Sequence, residues 1–378
     1  MIYDAIIVGG GVSGLVSAIS IARKGLTVAI LEKNDRLGKK ILATGNGKCN
    51  IMPSEVSFSA YNSCAVEKTF EVCTYADVLD FWKSIGIVIK CVDNRCYPYS
   101  MQASSVQNAL RKQVEDLNIT VHCNTEVTSI DKNEIYFVNY GAFKAKNIVF
   151  CTGSNATFGT DSLYILDKMG IKTIGFVPSL VPILTDTQYI RGLKGVRAEC
   201  GVTLRVDGVA VASCVDEVIF KDNGVSGSAI FELSATLARK RRGHAEFVFN
   251  FMPDKNAQEI INTLTALSKA GHSIETLFHK EICNNLKKRL QQAGDNHIAE
   301  LALLIMEYNV DIKGIGSNTL AQVMSGGVSL KELDLSSMQS GKYEGLYVAG
   351  EVVNVDGVCG GHNLLWATAS ALAIGEKI

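Results

Sequence analysis

A short apolar run at residues 3–8 (YDAIIV) has the pattern of a strand buried on both faces, and a helical stretch follows from about 14 to 24. Residues 27–32 (TVAILE) form a second such run, so the chain opens as a βαβ unit. Residues 104–116 (SSVQNALRKQVED) predict an amphipathic helix, 119–130 and 134–138 alternate like strands, and 147–153 (NIVFCTG) is another buried strand.

The texture then changes. Residues 202–211 (VTLRVDGVAV) alternate around Asp207-Gly208 as a hairpin does, and 246–251 (EFVFNF) adds a strand. After Pro253 the period becomes helical, with Ile260, Ile261, Leu264 and Leu267 in one stripe, a second from Ile274 to Leu290, and a third through Ile298, Leu301, Ile305 and Tyr308. Near 317 the first pattern resumes, with a strand at 345–350, a glycine-bearing loop at 351–363 and an apolar helix at 364–374. The predicted fold class is α/β: a Rossmann-like domain from 1–185 and 317–378, interrupted by an antiparallel β-barrel-like unit at 186–253 and a small helical unit at 254–316.

Composition narrows the possibilities. Of 378 residues, 47% are hydrophobic and 20% charged, enough apolar surface to offset the entropy of ordering the backbone. Net charge is -1, so nucleic acid is not expected as the main partner. The uncharged stretches 5–22 and 357–375 are long enough to suggest membrane spans, yet their bunched glycines suit turns better than a continuous helix, and no membrane partner is expected. Eleven scattered cysteines, with no C-x-x-C pair and no ligand-spaced His/Cys cluster, read as reduced thiols, with no metal. No targeting leader is recognisable, and a cytoplasmic protein is expected.

Glycine is abundant at 34 residues while proline numbers 5, which points to close backbone approaches. In the first turn, Gly9, Gly11 and Gly14 match G-x-G-x-x-G, and Glu32 follows at the spacing of the dinucleotide fingerprint. There Gly9 permits the tight turn, Gly11 lets the backbone approach a pyrophosphate, and Gly14 allows close helix packing. The helix N-terminus faces the anion, and Glu32 accepts ribose hydroxyls. The 33–50 loop, with Gly45-Asn46-Gly47 and Lys39, Lys40 and Lys48, is either a ligand lining or a solvated loop.

GGGVSG with Glu32, the mid-chain CTG and the C-terminal GLYVAGE…GGHNLLWA together resemble the two-dinucleotide-type FAD-binding oxidoreductases. More narrowly, GKKILATGNGKCN (38–50), RCYPYSMQASSV (95–106), GVSGSAIFELS (224–234) and AQVMSGGVSLKEL (321–333) resemble the bile-acid-inducible N-type flavoproteins, also known as the aminoacetone-oxidase type. The resemblance implies FAD as cofactor. It implies contacts from Val12, Ser13, Glu32, Lys33, Asn46, Gly47, the backbone of Val127 against the adenine, Thr152, Gly153, Gly350, Glu351, Gly361, His362, Asn363 and Leu364. The family loop usually reads Asp-Gly-Pro-Thr-Gly-Gly-Tyr-Asn, whereas here residues 356–363 read DGVCGGHN, and Lys48 replaces a usual arginine.

His362 is a catalytic candidate, since an imidazole beside a flavin could supply the proton that accompanies hydride addition, or could merely pack. Tyr97, a second catalytic candidate, and Tyr99 could each donate a proton or stack on a flat substrate, or serve as amphipathic wall residues. The basic run Arg239-Lys240-Arg241-Arg242 with His244 suits either a solvated helix end or the 2′-phosphate of NADPH. With no second G-x-G-x-x-G, NADH or NADPH would bind transiently at the flavin face.

The expected function is FAD-dependent, NAD(P)H-linked reduction of an activated C=C bond in a conjugated ketone of bile-acid or steroid type. The alternatives are an FAD-dependent oxidase of small amines using O₂ and, from another class, a flavin-containing RNA-binding or RNA-modifying protein. The partner would be a small-molecule substrate, and the oligomeric state is left open.

Overall fold

The computed structural model describes residues 2–131, 134–137, 141–157, 161–240, 243–290 and 297–378. The chain forms two units, one of residues 1–177 with 322–378 and the other of residues 178–321.

The first unit is built on a parallel sheet. Leu346–Val348, Gly141–Phe150, Ile2–Val8, Val28–Leu31 and Thr120–His122 lie side by side in that order, with Ile7 opposite both Ile30 and Val149. Ile6, Ile7, Ile30, Val149 and Phe150 are all fully buried, as strands covered on both faces must be. Helix Val12–Ala22 packs against the final helix, His362–Lys377, and both are apolar nearly all round because both are interior. An antiparallel edge of Leu333–Asp334 and Gln339–Ser340 extends the sheet beyond Leu346–Val348.

A smaller antiparallel sheet in the same unit joins Met52–Pro53, Arg95–Pro98 and Ile89–Val92. Asp93 and Asn94 take left-handed backbone at the tip of its hairpin (φ 48° and 58°), and the resulting register sets Cys91 opposite Cys96. These two form a disulfide, which corrects the expectation that every cysteine is a reduced thiol; the other nine form no disulfide. The spacing of five concealed the pairing because adjacency arises only when the hairpin closes.

The second unit contains a closed barrel in the order Ile183–Thr185, Gly224–Ser226, Val209–Phe220, Arg197–Val206, Ala245–Asn250 and Tyr308–Ile315. The hairpin turns at Asp207-Gly208. Phe220, Phe247 and Phe249 fill the interior with Val202 and Leu204. Tyr308 differs from its expected place on a helical stripe. It starts the strand that closes the barrel, where the alternation of buried Tyr308 and Val310 with exposed Asn309 overrides the helical period. Helices Ala257–Lys269, Lys280–Leu290 and His297–Met306 follow the expected stripes through buried Ile260, Leu264, Ile282, Leu286 and Ile305. The first is held by a capping box between Asn256 and Glu259. Among the described residues no helix is long and apolar enough to cross a membrane.

Candidate active site

Four parallel strands end at one edge of the first unit, and each hands the chain to a predicted site residue. Ile2–Val8 leads to Gly9, Val28–Leu31 to Glu32, Gly141–Phe150 to Thr152 and Leu346–Val348 to Gly350. The carboxyl edge of such a sheet is where open α/β folds bind ligands.

The three fingerprint glycines are required for different reasons. Gly9 has φ 104°, and a Cβ there would lie 2.5 Å from the Cys151 carbonyl oxygen. A Cβ on Gly14 would lie 1.9 Å from the Gly9 carbonyl oxygen. Packing within the protein therefore dictates both. Gly11 is different. It is the N-cap of the first helix with ordinary extended backbone, and a Cβ there would meet nothing within 4 Å. The space in front of a helix N-terminus with unpaired N–H groups fits a pyrophosphate, so the residues present suit a dinucleotide.

Glu32 is buried, and its carboxylate is already tied to that loop. Oε2 accepts from Gly10 N at 2.7 Å, and Oε1 accepts from Asn34 N at 2.7 Å and Asn34 Nδ2 at 2.6 Å. Thr125 N donates to Glu32 O at 2.9 Å, which brings the segment leading into buried Val127 alongside. Lys33 is half-buried, and desolvation lowers its pKa against the opposing pull of Glu32 and Glu126.

The loop at 39–47 is a kinked 3-10 stretch in which Gly45 and Asn46 adopt left-handed backbone (φ 55° and 54°), with Asn46 and Gly47 exposed. Lys40 reaches from it to Glu351 Oε2 at 2.6 Å and Ser154 Oγ at 3.3 Å. Gly38 N donates to Gly10 O at 2.8 Å. Lys40 is one of the lysines that marked this loop, but its pairing with Glu351 and Ser154 joins residues far apart in the chain and leaves no local signal.

At the other end, a Cβ on Gly350 (φ 80°) would fall 2.0 Å from Ser13 Oγ, so the last strand turns hard against the first helix. Trp366 Nε1 donates to Gly350 O at 3.2 Å, and Gly350 N donates to Ser370 Oγ at 3.1 Å. Thr152 Oγ1 accepts from Ser162 Oγ at 2.6 Å, while Gly153 lies beside the Glu351 carboxylate. Gly361 (φ 99°) caps the final helix and leaves no room for a Cβ against Met52 and Asn50. The Asn363 side chain is spent on the loop itself, accepting from Gly357 N and donating to Gly357 O, each at 2.9 Å. Leu364 is half-buried next to it.

His362 begins that helix, is 6% exposed and packs edge-on against Tyr61, whose hydroxyl donates to His362 O at 3.0 Å. Burial pushes its pKa down to about 4, so the imidazole is neutral at pH 7. Its Nδ1 and Asn50 Oδ1 are both buried without a hydrogen-bond partner. Tyr97 is half-buried on Arg95–Pro98, one residue from Cys96, which pairs with Met52. Tyr99 is 68% exposed with Lys90 over its ring. Cys49 is buried, with its thiol pushed up to about 11 by desolvation, which suits packing and not redox chemistry. Arg239 and Lys240 end helix Ser228–Lys240, Arg241 and Arg242 lie outside the described residues, and His244 Nε2 sits 3.3 Å from Asp311 Oδ1.

The HI0933-like protein Rossmann domain model matches residues 3–377. The chain belongs to that family. It is an FAD-dependent oxidoreductase, and its fold pairs a Rossmann-type FAD-binding unit with a closed antiparallel barrel and helical segments. Within the family's reach, the chain is 29% identical to a 3-dehydro-bile acid Δ(4,6)-reductase of Clostridium scindens, over 98% of this chain and 97% of that protein. It is 26% identical to a ribosomal RNA dihydrouridine synthase of Escherichia coli, over 100% and 98% respectively. Among solved structures, an open flavocytochrome c3 fumarate reductase shares the fold at a TM-score of 0.53 and 14% identity, over 99% of this chain and 77% of that one.

Proposed function

We propose that this enzyme reduces a carbon–carbon double bond conjugated to a carbonyl, with NADH or NADPH as transient electron donor and a ketone of bile-acid or steroid type as substrate. One bond change common to relatives with very different substrates carries this reading. A 3-dehydro-bile acid Δ(4,6)-reductase acts, by its name, on unsaturation conjugated to a 3-ketone, and a dihydrouridine synthase saturates a uracil ring bond conjugated to a ring carbonyl.

FAD, when bound, supplies the hydride chemistry. In this reading Gly11, Val12 and Ser13 receive the pyrophosphate, Gly9 and Gly14 shape the turn that presents them, Glu32 and Lys33 receive the ribose, and the backbone of Val127 receives the adenine. Asn46, Gly47, Thr152, Gly153, Gly350, Glu351, Gly361, His362, Asn363 and Leu364 line the rest of the cofactor. A neutral His362 offers a lone pair or a single N–H, which suits orienting a ligand better than serving as a standing acid. Tyr97 is then the proton donor to the substrate carbon.

A second reading takes a uridine in RNA as the substrate, and the two dihydrouridine synthases, of Escherichia coli and Haemophilus influenzae, favour it. The net charge of -1 favours the small molecule. Anaerobic protein separates these readings: NAD(P)H should bleach the flavin, and a 3-oxo-4-ene steroid should restore its absorbance. Restoration only by uridine-containing ribosomal RNA would replace the first reading with the second. Peroxide formed from small amines without NAD(P)H consumption would mean an oxidase instead. Gly11→Glu sets a carboxylate where the pyrophosphate would lie and should abolish FAD binding; unchanged binding would refute the site.

A further inference from the structure

Three segments far apart in the chain meet at one lysine. Lys40 Nζ lies 2.6 Å from Glu351 Oε2 and 3.3 Å from Ser154 Oγ, joining the 39–47 loop, the turn after Gly141–Phe150 and the turn after Leu346–Val348. The other carboxylate oxygen, Glu351 Oε1, accepts from Met324 N at 3.2 Å. Both oxygens are therefore held, one by a backbone N–H and one by an ammonium. The backbone beneath is held as well, because Gly350 is wedged against Ser13.

The lysine and glutamate side chains retain 32% and 19% exposure. An ion pair so accessible to water adds little to folding stability. Its effect is on direction: a glutamate free in solution samples several rotamers, and this one has a single orientation imposed from two sides.

We propose that Lys40 is a positioning residue of the cofactor site, holding the Glu351 carboxylate in the orientation that receives FAD. The proposal rests on the reading of Glu351 as a cofactor contact. Lys40 acts through that acid and not on the cofactor directly, which makes the consequences separable.

The test is titration of FAD into full-length apoprotein, followed by flavin fluorescence, for the wild type, Lys40→Met, Lys40→Arg, Glu351→Gln and the Lys40→Met/Glu351→Gln double variant. Lys40→Met should weaken FAD about tenfold and alter the visible bands of the bound flavin, with the apoprotein melting temperature unchanged. Lys40→Arg should recover most of the affinity and the spectrum. In the Glu351→Gln background, Lys40→Met should add less than about twofold, because the charge it orients is gone. Wild-type affinity in Lys40→Met, while Gly11→Glu abolishes binding, would overturn the role of Lys40 and leave the cofactor site standing. A full additional loss in the double variant would also overturn it, by showing that Lys40 acts independently of Glu351. Unchanged binding in both Lys40→Met and Gly11→Glu would remove the cofactor site and the proposal together.

Discussion

Two glycine-bearing turns lie at the same edge of the sheet, and they differ at one position of the first. In the loop from Gly350 to Gly361, the protein itself occupies the space of the missing side chains: Ser13 at Gly350, His362 and Tyr61 at Gly357, Met52 and Asn50 at Gly361. In the first turn, Gly9 and Gly14 are like that, but Gly11 faces open space. In the proposed reading Gly11 is kept for the cofactor, while Gly9 and Gly14 are kept for the packing of the turn itself.

The largest effect is expected at Gly14→Ala. Its Cβ would lie 1.9 Å from the Gly9 carbonyl oxygen, so a loss on the order of 3 kcal/mol is expected in urea unfolding of the apoprotein. A near-neutral result would mean that the turn relaxes freely.

Next in size is a pH effect at the C-terminal turn. Folded His362 titrates at about 4, below its ordinary 6.5, because burial disfavours the imidazolium. The unfolded chain therefore binds the proton first. The stability it contributes is complete above the unfolded value and drains as pH falls toward the folded one. Between about pH 7.5 and 5, the wild type should lose on the order of 2 kcal/mol more than His362→Phe. Parallel pH profiles for the two proteins would contradict the burial argument.

Asn363→Ala removes both hydrogen bonds to Gly357 and should cost about 1 kcal/mol in thermal unfolding. The smallest effect is expected at Gly11→Ser. Serine is a good N-cap and has room, so apoprotein stability should stay within about 0.5 kcal/mol of wild type while FAD affinity falls. A large loss of apoprotein stability there would show that Gly11 is structural after all.

Much of the architecture was legible from periodicity. The opening βαβ unit, the Asp207-Gly208 hairpin and the helical stripes through Ile260 and Leu286 all depend on contacts within one or two elements, which pattern records directly. What escaped depends on distant partners. Ile183–Thr185 gave no signal as a barrel strand because three residues are too few to show alternation, and their pairing with Tyr308–Ile315 spans most of the second unit. The Cys91–Cys96 bond needed the register of a hairpin. Tyr308 carried both a helical and an alternating period, and closure of the barrel decided between them.

The candidate site divides in the same way. Gly9, Gly11, Gly14 and Glu32 sit within one short βαβ segment, so their spacing is set by local geometry and can be read from residue order. That Lys40 grips Glu351, 311 residues away, and that His362 is neutral are products of long-range approach and of burial, and even the grip of Glu32 on Gly10 needs the βαβ unit to fold. Residue order alone determined the nucleotide-binding edge and the residue types available there. The charge state of those residues, and the directions in which they are held, were decided only by the packed structure, because desolvation and ion pairing are properties of neighbours in space.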